Sequence, residues 1–143
     1  MGGSQGAKTI YTTLAQLLKE YPQLQNFEYT VILGQLNKEL DQLFLPFSTV
    51  SIKAFCSQQE LGQLYAAADV VITRAGTTSL AEQELFDLKM LMIPLPWTHD
   101  QLQNARRYVD NKDGILIEQD RSDFKQKLLT ELLKLQGYKK TPS

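Results

Sequence analysis

Apolar positions along the chain repeat with two different periods, and the alternation between them lays out the elements. Ile10, Leu14, Leu17 and Leu18 recur at the spacing of one helix face, until Tyr21-Pro22 stops the run. Glu28 to Leu33 alternates loosely through Tyr29, Val31 and Ile32, reads as a strand, and closes at Gly34. Leu36 to Leu43 predicts a short helix, Thr49 to Phe55 a strand, and Gln58 to Ala67 a helix with Leu61, Leu64 and Tyr65 inward. Val70 to Thr73 is a short β-branched run of the kind that forms a buried parallel strand, and an apolar helix face starts at Leu80 and runs to about Asp87. Met90 to Ile93 predicts another buried strand ending in Pro94-Leu95-Pro96-Trp97. A helix from Thr98 to about Val109, a strand over Gly114 to Ile117 and an amphipathic helix over Ser122 to Leu135 complete the pattern.

Strands alternating with helices at this spacing imply βαβ units, hence an α/β fold with a Rossmann-like, doubly wound parallel sheet and helices on both faces. Ligands of such folds bind at the carboxyl ends of the strands. The domain is expected to cover residues 1–137, with 138–143 a tail. Before the first helical pattern stand Gly2, Gly3, Ser4, Gln5 and Gly6, read as a glycine turn. Such a turn normally follows a strand, which in the usual strand order lies centrally. The sheet is therefore expected to lack its first strand and to carry a slot there, as in a fragment or one half of a split protein.

Asp69 to Glu82 organises the rest: strand, glycine turn at Gly76, then the hydroxyl residues Thr77, Thr78 and Ser79 at a helix start. The free N–H groups and dipole of that helix start make an anion site over the end of the strand. Ser79 and Glu82 also fit a capping box, in which each side chain satisfies the other's backbone donor.

Composition narrows the function classes. In 143 residues, 43% hydrophobic and 22% charged positions are ordinary for a folded globular domain. A formal charge of −1 gives no electrostatic case for nucleic acid, and no basic patch stands out beyond Lys139 and Lys140. Cys56 is the single cysteine, which excludes a disulfide framework or a thiolate metal cluster within the chain. No apolar run approaches the roughly 20 residues of a membrane span, and no signal peptide is recognisable, so a cytoplasmic location is expected.

Three stretches fall at strand ends: Gly2 to Ala7, Arg74 to Glu82, and Pro94 to Ala105, the last placing His99, Asp100, Gln101 and Asn104 around a helix start. In order they read G-G-S-Q-G-A, then A-D-V-V-I-T-R-A-G-T-T-S-L-A-E, then I-P-L-P with D-Q-x-x-N-A. Together they resemble the C-terminal half of the MurG family of bacterial glycosyltransferases, across essentially the whole chain. The resemblance implies one half of a GT-B fold, the half that binds the donor nucleotide. It also implies that UDP-N-acetylglucosamine is the substrate, with no cofactor; no D-x-D motif appears, so no bound divalent ion is expected.

Carried over by motif, Glu82 accepts hydrogen bonds from the ribose hydroxyls, and the backbone after Gly76, at Thr77, Thr78 and Ser79, holds the diphosphate. Phe55 lies near the uracil, with the Cys56 main chain on the base edge. Asp100 and Gln101 meet the sugar hydroxyls, Asn104 supports their loop, and the turn with Ser4 and Gln5 lines the cleft between donor and acceptor. Read without the resemblance, Phe55 is a core residue, Gln101 caps a helix from Thr98, and His99 is an exposed loop histidine. Arg74 fits a structural ion pair as well as a ligand contact. Gly34, Gln35 and Leu36 stand where the family often has a small hydroxyl residue near a phosphate, and Asp87 and Lys89 where it has glycine and proline.

The implied reaction is inverting transfer of N-acetylglucosamine to a lipid-linked muramyl pentapeptide in peptidoglycan synthesis. The acceptor domain or partner subunit is expected to supply acceptor recognition, the catalytic base and peripheral contact with the inner membrane's cytoplasmic face, and the chain alone is expected to be nearly inactive. Three alternatives stay open: the donor subunit of a two-subunit N-acetylglucosamine transferase, half of a sugar-nucleotide epimerase, or a non-catalytic sugar-nucleotide-binding module.

Overall fold

Among the described residues, five short strands and five α-helices alternate, joined by two 3₁₀ segments. The computed structural model describes residues 2–33, 35–74, 77–94, 99–110, 114–119 and 122–139. They divide into two compact units, residues 1–58 with 128–136, and residues 59–127 with 137–143.

The first unit opens with helix α1 (Gly2–Glu20), whose Leu14, Leu17 and Leu18 are buried as their spacing predicts. Its start is a correction: Gly2, Gly3, Ser4, Gln5 and Gly6 are the first turns of α1, not a turn preceding it. Glycine costs about 1 kcal/mol against alanine within a helix. A long helix already formed from Ala7 onward adds one hydrogen bond per residue it extends, and that offsets the cost. A 3₁₀ segment (Pro22–Asn26) follows, then strand β1 (Tyr29–Ile32), a 3₁₀ segment (Gln35–Leu43) where a helix was expected, and strand β2 (Val50–Lys53). Gln35–Leu43 contains Asn37 and Asp41, residue types of low helix propensity, and its turns are of the tighter 3₁₀ kind. The Tyr11 hydroxyl donates to the Ile32 carbonyl at 2.6 Å, fixing α1 against the end of β1.

The second unit carries helix α2 (Gln58–Ala67) across its boundary, then strand β3 (Val70–Thr73), helix α3 (Thr77–Leu85), strand β4 (Lys89–Met92), helix α4 (His99–Asp110) and strand β5 (Gly114–Leu116). Helix α5 (Phe124–Lys134) begins here and ends among the residues of the first unit. The turn after α3 needs a left-handed residue, and Asp87 supplies it at φ 58°, an angle that aspartate tolerates better than most side chains.

Each unit carries its own small parallel sheet. β1 pairs with β2 in one; β3, β4 and β5 lie in that order in the other, all parallel. The fold is the expected Rossmann-like α/β arrangement, one parallel piece of sheet to each unit. In the second unit the register puts Val71, Met90, Met92 and Leu116 on one face. Leu80 of α3 and Ala105 and Tyr108 of α4 pack on that face, and Leu80, Met90, Met92 and Ala105 are fully buried. This core holds the starts of α3 and α4 at the same, carboxyl end of the sheet. Gly114 pairs with Met90 across the β4–β5 ladder, and the end of the Met92 side chain fills the space a side chain at Gly114 would need.

Candidate functional site

Three parallel strands deliver three chain exits to one end of the sheet, at Arg74, Ile93 and Ile117. Arg74 ties these exits together. Its Nη1 donates to the Ile93 carbonyl at 3.0 Å and to the side-chain oxygen of Gln119. Two of its bonds are thus to a backbone carbonyl and a neutral amide. Guanidinium suits that task, because one planar nitrogen carries two hydrogens in fixed directions.

A second network sets the direction of α3. Gln83, only 2% exposed, donates through Nε2 to the Tyr65 hydroxyl and to Thr73 Oγ1, both at 3.1 Å. Thr73 Oγ1 in turn donates to the Arg74 carbonyl at 2.9 Å. The last residue of β3, the last turn of α3 and the end of α2 are thus linked, with the Tyr65 and Phe86 rings 5.7 Å apart beside them. Buried polar groups joined in this way specify one arrangement of strand, turn and helix.

That arrangement turns the first N–H groups of α3 toward the carboxyl end of the sheet. Helix α3 starts at Thr77, so Ser79 lies inside its first turn and not at the flanking position that a capping box with Glu82 requires. Glu82 is half-buried, one place before Gln83. Helix α4 starts at His99, with Gln101 in its first turn. Asp100 is exposed, and Gln101 and Asn104 are half-buried. Gly76, Thr98, Trp97 and Gly34 lie outside the described residues.

In the first unit, Phe55 follows β2 and is 67% exposed, which overturns the reading of it as core. Cys56 beside it is a half-buried free thiol. Ser4 and Gln5 lie within α1 and form no loop, so the cleft-lining turn expected of them is absent. Among the described residues no three His, Cys, Asp or Glu side chains converge as a metal site. No helix among those residues is long and apolar enough to cross a membrane.

The second unit therefore brings Thr77, Thr78, Ser79, Glu82, Asp100, Gln101 and Asn104 onto two helices that start at one end of one sheet. Sequence reasoning missed Gln83, Tyr65 and Gln119. Gln83 had one available signal, a polar residue three places after Leu80 on the apolar stripe of α3. Gln119 had none, because its partner is 45 residues away.

The model of the glycosyltransferase family 28 C-terminal domain matches residues 1–143. The chain belongs to this family. Curated relatives agree with the domain match. A UDP-N-acetylglucosamine--N-acetylmuramyl-(pentapeptide) pyrophosphoryl-undecaprenol N-acetylglucosamine transferase of Flavobacterium psychrophilum is 31% identical, over 93% of this chain and 36% of its own length. Proteins of the same name from Vesicomyosocius okutanii and a Thermoanaerobacter species are 34% and 31% identical, over 83% and 84% of the chain. This family 28 domain spans about a third of the length of those relatives, 33% and 34% in the last two. No solved structure matches the chain. The resemblance to the C-terminal half of the MurG family thus holds over nearly the whole family 28 domain.

Proposed function

We propose that this chain is the donor-nucleotide domain of an inverting glycosyltransferase of peptidoglycan synthesis. The donor is UDP-N-acetylglucosamine and the acceptor a lipid-linked muramyl pentapeptide. One observation carries the reading: an α-helix N-terminus, at Thr77, stands at the carboxyl end of a parallel strand with half-buried Glu82 between its first turn and the network that anchors it. Amide groups of Thr77, Thr78 and Ser79 hold the diphosphate, and Glu82 accepts from the ribose hydroxyls. Asp100 and Gln101 at the start of α4 orient the sugar, and Asn104 supports them. In the first unit, taken by itself, the ring of Phe55 is exposed, as a base-stacking surface requires.

The chemistry follows from those roles. An acceptor hydroxyl attacks the anomeric carbon, the bond from that carbon to the phosphate oxygen breaks, and UDP leaves with the electron pair. The chain's share is to orient the sugar and to stabilise the charge that builds on the diphosphate through fixed amides and a helix dipole. Acceptor recognition, the base that takes the hydroxyl proton and the contact with the cytoplasmic face of the membrane belong to the rest of a protein of the relatives' length.

Calorimetric titration of the 143-residue chain with UDP-N-acetylglucosamine, UDP-glucose as control, tests the reading. Saturable binding that prefers the acetylated sugar is expected. Glu82→Ala is expected to weaken it by roughly tenfold or more, the scale of losing hydrogen bonds to a charged group. A folded chain that binds neither nucleotide, or a Glu82→Ala variant that binds as tightly as the parent, would refute it.

A further inference from the structure

The β5–α5 connection carries none of the residues assigned to the donor, yet Gln119 within it accepts a hydrogen bond from Arg74 at the exit of β3. The same guanidinium nitrogen holds the Ile93 carbonyl at the exit of β4. Arg74 precedes the connection to α3, and Ile93 precedes the connection to α4. The two candidate ligand-bearing helices therefore leave the sheet from points that one side chain spans.

We propose that Arg74 and Gln119 are a positioning pair that sets the spacing between the diphosphate-holding start of α3 and the sugar-contacting start of α4; the proposal rests on the donor-binding reading above. Gln119 fixes where the guanidinium lies, and the guanidinium fixes where β4 ends. Neither residue needs to touch the donor. Because the α3 start binds the diphosphate and the α4 start binds the sugar, a change in their spacing acts on one increment of affinity only. UDP alone engages α3 and is indifferent to the spacing. UDP-N-acetylglucosamine must engage both.

The ratio of the two affinities is accordingly the readout, and a merely structural role would not move it. Gln119→Leu removes the acceptor at a half-buried turn position. Calorimetry on the full chain should show UDP binding within about twofold of the parent, and UDP-N-acetylglucosamine weakened roughly tenfold, the scale of one charge-assisted hydrogen bond. Gln119→Glu keeps an oxygen for Arg74 and should retain the sugar preference. Arg74→Met should reproduce the selective loss, and Arg74→Met with Gln119→Leu should add little to either single change, as expected for two members of one unit. Equal weakening of both ligands by Gln119→Leu, no weakening of either, or failure of Gln119→Glu to retain the preference would overturn the pair. If the folded parent chain bound neither ligand, the donor reading would fall, and this proposal with it; parent binding with an unchanged ratio in Gln119→Leu would remove only the proposal.

Discussion

Replacing Gly114 by alanine should destabilise the second unit, and Met92 should determine by how much. A Cβ at Gly114 collides with the Met92 terminal methyl, and would lie 3.3 Å from the Met92 sulfur and 3.4 Å from the Met90 carbonyl oxygen. The methyl is the far end of a flexible side chain, but Met92 is fully buried and has little free space to turn into. Forcing it off its rotamer costs about 0.5–1.5 kcal/mol, and the extra volume in a packed core raises the total to about 2 kcal/mol. Loss of glycine's freedom in the unfolded chain offsets about 0.4–1 kcal/mol of that. The net expectation is about 1 kcal/mol, or a melting shift of about 4 °C. Met92→Val removes the colliding atoms and leaves space beside Gly114, at a cost of about 1–2 kcal/mol by itself. In Gly114→Ala with Met92→Val, each change relieves the other, so the double variant should be more stable than the sum of the singles by about 1 kcal/mol. Urea unfolding of the four proteins, followed by far-UV circular dichroism, gives the coupling. Additivity within about 0.3 kcal/mol, or a Gly114→Ala protein more stable than its parent, would refute the packing argument.

Two further outcomes separate roles that the sequence left together. Phe55→Ala should leave the melting temperature nearly unchanged, because the ring is mostly in solvent, while UDP affinity falls roughly tenfold or more through lost base stacking; a large drop in stability with intact binding would return Phe55 to the core. Burial holds the Tyr29 hydroxyl protonated well above its ordinary range, and it donates to the Leu24 carbonyl at 2.8 Å. Its folded pKa is raised, so its contribution is complete below about pH 10 and is lost as pH climbs through the folded value, at no more than about 1.4 kcal/mol per pH unit. Melting curves between about pH 9 and 12 should show that decline in the parent and a shallower one in Tyr29→Phe; parallel curves would contradict it.

The legible parts of this fold are those whose information is local. Val70 to Thr73 and Gln58 to Ala67 were readable to the residue, because a β-branched run and a helix-spaced apolar face each fit one structure only. The last residue of α3 and both ends of α4 were readable within a residue or two for the same reason. Gly2 to Gly6 misled because local propensity favours a turn, while an established helix extends through glycine at modest cost. Phe55 misled because an aromatic residue is usually buried, and its exposure depends on what the chain leaves uncovered after β2. The motif residues of the candidate site were visible as a set, since each of the two helix starts is a contiguous stretch. The side chains that aim those stretches were not: Arg74 with Gln119, and Gln83 with Tyr65, meet only after the sheet has formed.

The packing of Met90 and Met92 also makes this chain its own reporter of motion. Both sulfurs lie in residues with no accessible surface, and peroxide converts methionine to a polar sulfoxide only where it can reach it. Oxidation of these two residues must therefore wait for the sheet between α3 and α4 to open. Its rate in dilute peroxide, followed by mass spectrometry of the peptide spanning 90–92, becomes a clock for that opening. A ligand bridging the two helix starts would lower the logarithm of that rate in proportion to the stability it adds, without any label having been introduced.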